Sequence, residues 1–305
     1  MIGNIAQFWR LTRELDVRGL REAFERAVSL RVLGSDLATA RRVAQLIDPE
    51  PAAESIGVGQ LGEDGTGRAD VYVIAIGGPI DGSARRAVAD LGTRGTPIVL
   101  VQLDGAPDVL VVGVPEERIV TLEPGWDDAT ARDRLLAALV HAAPEAMLPL
   151  GRNHVLVREA VAHHLVLDTA RVNAQFAALS SLPANIPLLG GLVGDMADVL
   201  VLTKNQVLLV LKLAGLYGRD LALGRQLLLE ILPIVGGAFF WRTTARMLVG
   251  LLPSLLGLVP KTLVAYAGTY VVGELARYYY RYGRRPPAHL AAELTAEARR
   301  LWRRP

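Results

Sequence analysis

The chain contains no cysteine. That excludes a disulfide, a thiolate nucleophile and a zinc site built on sulfur, and it accords with a reducing compartment. Lysine is scarce as well: of the 33 basic residues only Lys204, Lys212 and Lys261 are lysines. A GC-rich genome accounts for that arginine bias without any chemistry. The net charge of +2 is too small for a general nucleic-acid surface. The five histidines, His141, His154, His163, His164 and His289, occur without H-E-x-x-H or comparable spacing. Neighbours such as His163 and His164 point about 100° apart on a helix, so no metal site is expected. No G-x-S-x-G surrounds Ser180 and Ser181, which removes the nucleophile elbow. Gly77 and Gly78 run into Pro79 and complete no G-x-G-x-x-G. The opening residues lack the features of a signal peptide and read as an amphipathic helix bearing Ile2, Ile5, Phe8, Trp9 and Leu15. Packing on the protein is the expected use of that face, membrane contact the sharper alternative.

What is present is apolar: 51% of the 305 residues are hydrophobic, enough for two domains with separate cores. In the first half, apolar and amphipathic segments alternate. Asp16–Ala27, Leu37–Ile47, Gly82–Leu91 and Asp127–Ala142 have helical spacing, the last behind an aspartate cap. Ser29–Leu33, Val71–Ile76, Ile98–Val101 and Ile119–Leu122 are short apolar runs of the kind buried parallel strands carry. Strand and helix in alternation predict a parallel sheet with helices on both faces. Pro49–Arg68, rich in glycine, proline and acidic residues, reads as a loop.

That order of elements resembles a small GTPase domain, and the resemblance can be tested at each motif. A phosphate-binding loop needs G-x-x-x-x-G-K-[ST] after the first strand, because backbone amides and the lysine together neutralise phosphate. The equivalent residues here are Gly34, Ser35, Asp36, Leu37, Ala38, Thr39, Ala40 and Arg41. Thr39 stands for the second glycine, Ala40 for the lysine and Arg41 for the magnesium-binding hydroxyl, while Asp36 puts a carboxylate where phosphate would lie. The base-reading N-K-x-D survives only as Val101-Gln102-Leu103-Asp104. The resemblance therefore implies a degenerate domain that has lost the main electrostatic contributions to phosphoryl transfer. An unrelated α/β domain with the same alternation is the alternative.

The second half is helical. Val155–Ser180 has helical spacing; after a turn at Pro183–Pro187 come Gly191–Tyr217, Leu221–Leu232, Gly236–Leu255 and Val259–Tyr282. Gly218, Pro233, Pro253 and Pro260 are expected to separate them, and His289–Trp302 forms a last basic helix. From Ile186 to Glu274 only 12 of 89 side chains are charged. The ordered strings IPLLGGLVGDMADVLVLTKNQ, LAGLYGRDL, GAFFWRTTARMLVGLLP and AYAGTYVVGE resemble the YcjF-like family, uncharacterised domains found after GTPase or GTPase-like domains in bacteria. The matching positions are Thr203, Gln206, Tyr217, Gly218, Arg242, Tyr266, Gly268, Thr269 and Glu274. The resemblance, over about residues 150–285, implies a helical, membrane-associated domain without known enzyme activity.

Physics bears on the membrane separately. A spanning helix needs about 20 apolar residues. Val172–Gly194 carries no charge but is interrupted by Pro183, Asn185 and Pro187, while Met247–Gly273 carries one charge, Lys261, and two prolines. The following Ala276–Arg285 adds four tyrosines and four arginines, a composition suited to a cytoplasmic headgroup layer.

The expectation is α/β plus all-α: a degenerate P-loop-type parallel sheet domain at 1–145, then a glycine-rich helical domain at 150–305. It would act as a non-catalytic scaffold or adaptor on the cytoplasmic face of the inner membrane. It would meet lipid through the helical domain and Ala276–Arg285, and protein through a partner or another copy. No cofactor, metal or nucleic acid is expected. The alternatives are a divergent nucleotide hydrolase, with Arg41 and Arg42 on the phosphate, and a soluble helical oligomer.

Overall fold

The computed structural model describes residues 16–50, 56–62, 68–103, 114–123, 125–179, 195–223, 226–227, 229–230 and 258–302. The expected segment Gly236–Leu255, the turn at Pro183–Pro187 and the amphipathic run before Asp16 lie outside them. The first half forms α1 (Val17–Glu25), β1 (Leu30–Gly34), α2 (Leu37–Ile47), β2 (Ile56–Gln60) and β3 (Val71–Ile76). It continues through α3 (Gly82–Thr93), β4 (Ile98–Gln102), β5 (Ile119–Thr121), α4 (Asp128–Ala142) and α5 (Met147–Asn153). The second half forms α6 (Val155–Leu179), α7 (Asp195–Leu216), α8 (Leu258–Tyr282) and α9 (Leu290–Trp302). The chain divides into two compact units, residues 23–161 and residues 162–305 with the first 22.

In the first unit the five strands are all parallel, in the order β2-β1-β3-β4-β5. A parallel sheet is covered on both faces, so its central strands carry no polar side. All six residues of β3 are buried. Tyr72, Ile74 and Ile76 project to one face and meet Ile80, Ala84, Val88 and Leu91 of α3 and the loop before it. The alternate residues face the layer of α2 and α4, whose Val43, Ala44, Ile47, Leu135 and Leu139 are buried. At the lower end of α2, Asp48 Oδ2 lies 2.9 Å from Nδ1 of the buried His154, tying α2 to the junction of α5 and α6.

The loop expected over Pro49–Arg68 is corrected, because it contains the edge strand β2. Glycines favour a loop reading there, yet the two within β2 each face a β1 side chain across the ladder. Gly57 pairs with Arg31 and Gly59 with Leu33. A Cβ on Gly57 would lie 3.1 Å from Arg31 Cγ, and one on Gly59 3.3 Å from Leu33 Cδ2. The neighbours fill the space that side chains on β2 would otherwise take. Helix α5 was not expected from the sequence, and Pro260 does not precede α8 but sits in its first turn. A proline is tolerated there because the first helical amides have no intrahelical acceptor.

In the second unit α8 is the central element, in contact with α7 and α9. Of the fifteen residues from Thr262 to Ala276, all but the half-buried Leu263 and Val264 are buried. A Cβ on Gly273 would come 2.7 Å from Val166 Cγ2 and 3.0 Å from Leu209 Cδ2, so this glycine lets α8 approach α6 and α7. Nearer the start of α8, Tyr266 stacks on Tyr270 at 6.4 Å and meets Trp302 of α9 at 5.3 Å. Helix α7 ends where expected: Gly218 takes φ +80°, and the amides of Gly218 and Arg219 donate to the carbonyls of Gly215 and Ala214. Replacing Gly273→Ala should therefore destabilise the helical unit by about 1–3 kcal/mol through overpacking. A lowered thermal transition should report this, and an unchanged transition would contradict the close approach.

Candidate functional site

Ligands of open parallel sheets bind beyond the carboxyl ends of the strands, where the chain order reverses. Here that point lies between β1 and β3, and the loop Gly34–Arg41 opens on it. A Cβ on Gly34 would sit 2.4 Å from the Asp36 carbonyl oxygen and 2.6 Å from the Ala40 nitrogen. Gly34 therefore packs the turn tightly against the start of α2. The hydroxyl of Ser35 accepts from the Gly77 amide at 3.1 Å, bridging the loops after β1 and β3 across the reversal point.

The first amides of α2 form the expected anion site, but Asp36 already uses it. Its Oδ1 accepts from the Thr39 amide at 2.8 Å and its Oδ2 from the Thr39 hydroxyl at 2.6 Å. Those bonds, the Thr39 hydroxyl first, hold the Asp36 carboxyl below the usual carboxylate range. Ala40 is buried and bears no cation, and Arg41 is exposed. Arg42 lies 4.1 Å over the ring of Trp126, where its guanidinium gains a cation–π contact.

The same arrangement recurs along this edge. Asp81 caps α3 by accepting from the Ala84 amide at 2.8 Å, and Asp127 caps α4 by accepting from the Thr130 amide at 2.9 Å. Each of these carboxyls is likewise held below its ordinary range, chiefly by that amide bond. Three helix N-termini thus meet the carboxyl edge of the sheet, and each is satisfied by an aspartate of its own chain. In the sequence Asp127 is legible as a cap and Asp36 only as a carboxylate in the phosphate position, while Asp81 draws no notice. The Asp-x-Ser-Ala pattern at the head of a helical segment was the available signal.

A cavity of about 480 Å³ opens at the other edge, lined by Arg26, Asp70, Thr96, Arg118 and Glu145 among others. Its size does not make it the likelier place for chemistry. Asp70 is consumed by the Ser29 amide and hydroxyl, both at 2.9 Å, and by Arg26 at 3.4 Å.

In the helical unit the family-like positions fall into two groups. Gln206, Thr269 and Glu274 are buried, as are Tyr266 and Gly268; Thr203 is half-buried, and Tyr217 and Gly218 form the end of α7. Arg242 lies outside the described residues. Thr269 on α8 accepts from Asn173 of α6 at 2.8 Å and from Gln206 of α7 at 3.1 Å, and Asn173 accepts from Asn205 at 2.7 Å. One level on, Glu274 accepts from Arg277 at 3.1 Å and lies 4.0 Å from His163. Gln206 and Thr269 stand among the motif positions noted above, whereas Asn173 and Asn205 look like interruptions until three helices are brought together. No cluster of His, Asp and Glu able to hold a metal occurs among the described residues.

Two outcomes follow from these bonds. Thr269→Val would leave the buried Asn173 and Gln206 amides short of an acceptor, costing about 1–3 kcal/mol in the helical unit's unfolding free energy. Asp36, with its lowered pKa, contributes stability that is present above its unfolded pKa near 3.8 and lost as pH falls through the folded value. Asp36→Asn keeps a capping oxygen but removes that acid-sensitive component. Thermal melts from neutral to acid pH should show the wild-type advantage vanishing on acidification; an advantage independent of pH would overturn the assignment. Comparison with protein-family models, curated proteins and solved structures finds no match, so function has to be argued from this geometry.

Proposed function

We propose that this chain is a non-catalytic, membrane-associated scaffold or adaptor. Its α/β unit is a GTPase-like domain that has given up nucleotide, and its helical unit, similar to the YcjF-like family, serves association. One observation carries the reading: Asp36, Asp81 and Asp127 occupy the three helix N-termini on the edge where a phosphate would be bound. A triphosphate brought there would meet three carboxylates in place of free amides, with no lysine at Ala40 to offset them. The strand order also suits such a domain, though it is shared by doubly wound folds of other function.

The membrane part of the reading rests on the family resemblance and on Ala276–Arg285 beside an apolar helix. No helix among the described residues is long and apolar enough to cross a bilayer. Association at the cytoplasmic face of the inner membrane is accordingly proposed as surface contact by the helical unit.

GTP, GDP or ATP with magnesium should leave the thermal transition of the α/β unit where it is. A nucleotide at 100 times its dissociation constant would add about 2.7 kcal/mol and raise the transition by several degrees, which would restore the hydrolase reading. In lysates prepared without detergent the chain should sediment with membranes. Recovery in the soluble fraction as a stable oligomer would favour helices buried against another copy.

A further inference from the structure

The end of α8 is rich in tyrosine and arginine. From Leu275 to Ala292 the sequence contains no acidic residue, while Arg277, Arg281, Arg284 and Arg285 all fall within it. Helix geometry divides the cluster. Tyr279, half-buried, donates its hydroxyl to Glu230, which also accepts from Arg219 at 2.7 and 2.8 Å. Tyr278 and Tyr282 lie on another side, with ring centroids 4.7 Å apart, and Tyr282 is 51% exposed. Arg281 stands 5.3 Å over Tyr282, and Arg284 lies 5.8 Å from Tyr282 and 5.9 Å from Tyr278. Gly283 closes the helix at φ +63°, its amide donating to the Tyr279 carbonyl, and so turns Arg284 back towards the rings.

We propose that this outward face, Tyr278, Arg281, Tyr282, Arg284 and Arg285, docks peripherally on anionic phospholipid headgroups. The inference rests on the membrane-associated reading above and adds to it the surface and the lipid class. Charge complementarity is the first argument: Arg281, Arg284 and Arg285 are exposed guanidinium groups, and guanidinium pairs with phosphate in a planar, two-bonded geometry. Part of their charge complements the negative end of the α8 dipole, but that effect reaches only the last turn and is satisfied by one or two cations. The tyrosines are the second argument. An amphipathic ring beside exposed arginines suits the headgroup layer, where one edge is apolar and the other wet. Single-stranded nucleic acid would need open ring faces for base stacking, and here guanidinium groups lie over them.

The test is flotation of the full chain with vesicles of phosphatidylcholine alone and of phosphatidylcholine containing about one-third phosphatidylglycerol. The chain should float with the anionic vesicles only and be released by high salt. Replacing Arg281→Gln, Arg284→Gln and Arg285→Gln together should weaken that binding about fivefold per arginine, with the helical circular dichroism and melting transition unchanged. Equal flotation on both vesicles would overturn the proposal and leave membrane association standing. Flotation on neither would overturn both. Undiminished binding of the triple variant would overturn the choice of surface, as would equally tight binding of wild type to a single-stranded oligonucleotide. The salt dependence of the unaltered chain tests the proposal even if the triple variant folds poorly.

Discussion

Six consecutive buried residues in β3 set the conditions for the whole α/β unit. A strand with no polar side must be covered above and below, so parallel neighbours have to be joined by helices that cross over the faces. The helices following β1, β3 and β5 then all begin at the same edge of the sheet, and their positive ends gather there. That charge needs a counter-ion. In nucleotide-binding domains a ligand supplies it, and the amides stay free until the ligand arrives. Here the chain supplies it three times, through Asp36, Asp81 and Asp127. A short acid one residue before each helix reaches those amides first.

The helical unit answers to a different constraint. Its central helix is apolar nearly all round, and apolar surface alone would permit several registers against its neighbours. Gly273 restricts the choice by shape, since Val166 and Leu209 come close to its backbone. The bonds joining Asn173, Gln206 and Thr269 restrict it by chemistry, since a shift of one turn would strand buried amides without acceptors. Buried polar contacts of this sort contribute less to net stability than to the choice of one arrangement, a role best attested in helical assemblies.

Periodicity made the well-formed elements legible. The bounds of α2 and β3 match the expected ones, and those of α3, α4, α6 and α9 differ by a residue or two at an end. What failed had physical reasons. Strand β2 was hidden because its glycines are packed by Arg31 and Leu33 of the next strand, which no local pattern reveals. Pro260 was read as a break because its position within the first turn depends on where the helix starts. Of the candidate site, the loss of the lysine at Ala40 and the carboxylate at Asp36 were visible in the residues. That Arg42 is held over Trp126, and that Asp81 shares the edge with Asp36, depend on segments far apart in the sequence being brought together by the sheet.

The apolar stretch Met247–Gly273 first suggests lipid, but its described part answers to protein. From Thr262 to Gly273 the side chains of α8 are mostly buried, Thr269 accepts bonds from two other helices, and Lys261 is exposed at the start. Moving this helix into a bilayer would expose those amides and would strand Glu274 with its Arg277 partner near the apolar layer, at a cost of several kcal/mol. The apolar content of that part is therefore accounted for by a bundle core. What the bundle does not consume is at the far end of α8, where Tyr282, Arg284 and Arg285 face outward. A surface contact there needs no rearrangement of the core, because Tyr279 and Glu230 hold another side of the same turn in place. Contact with a charged interface and retention of a packed bundle are compatible on these grounds, whereas insertion and the bundle are in competition.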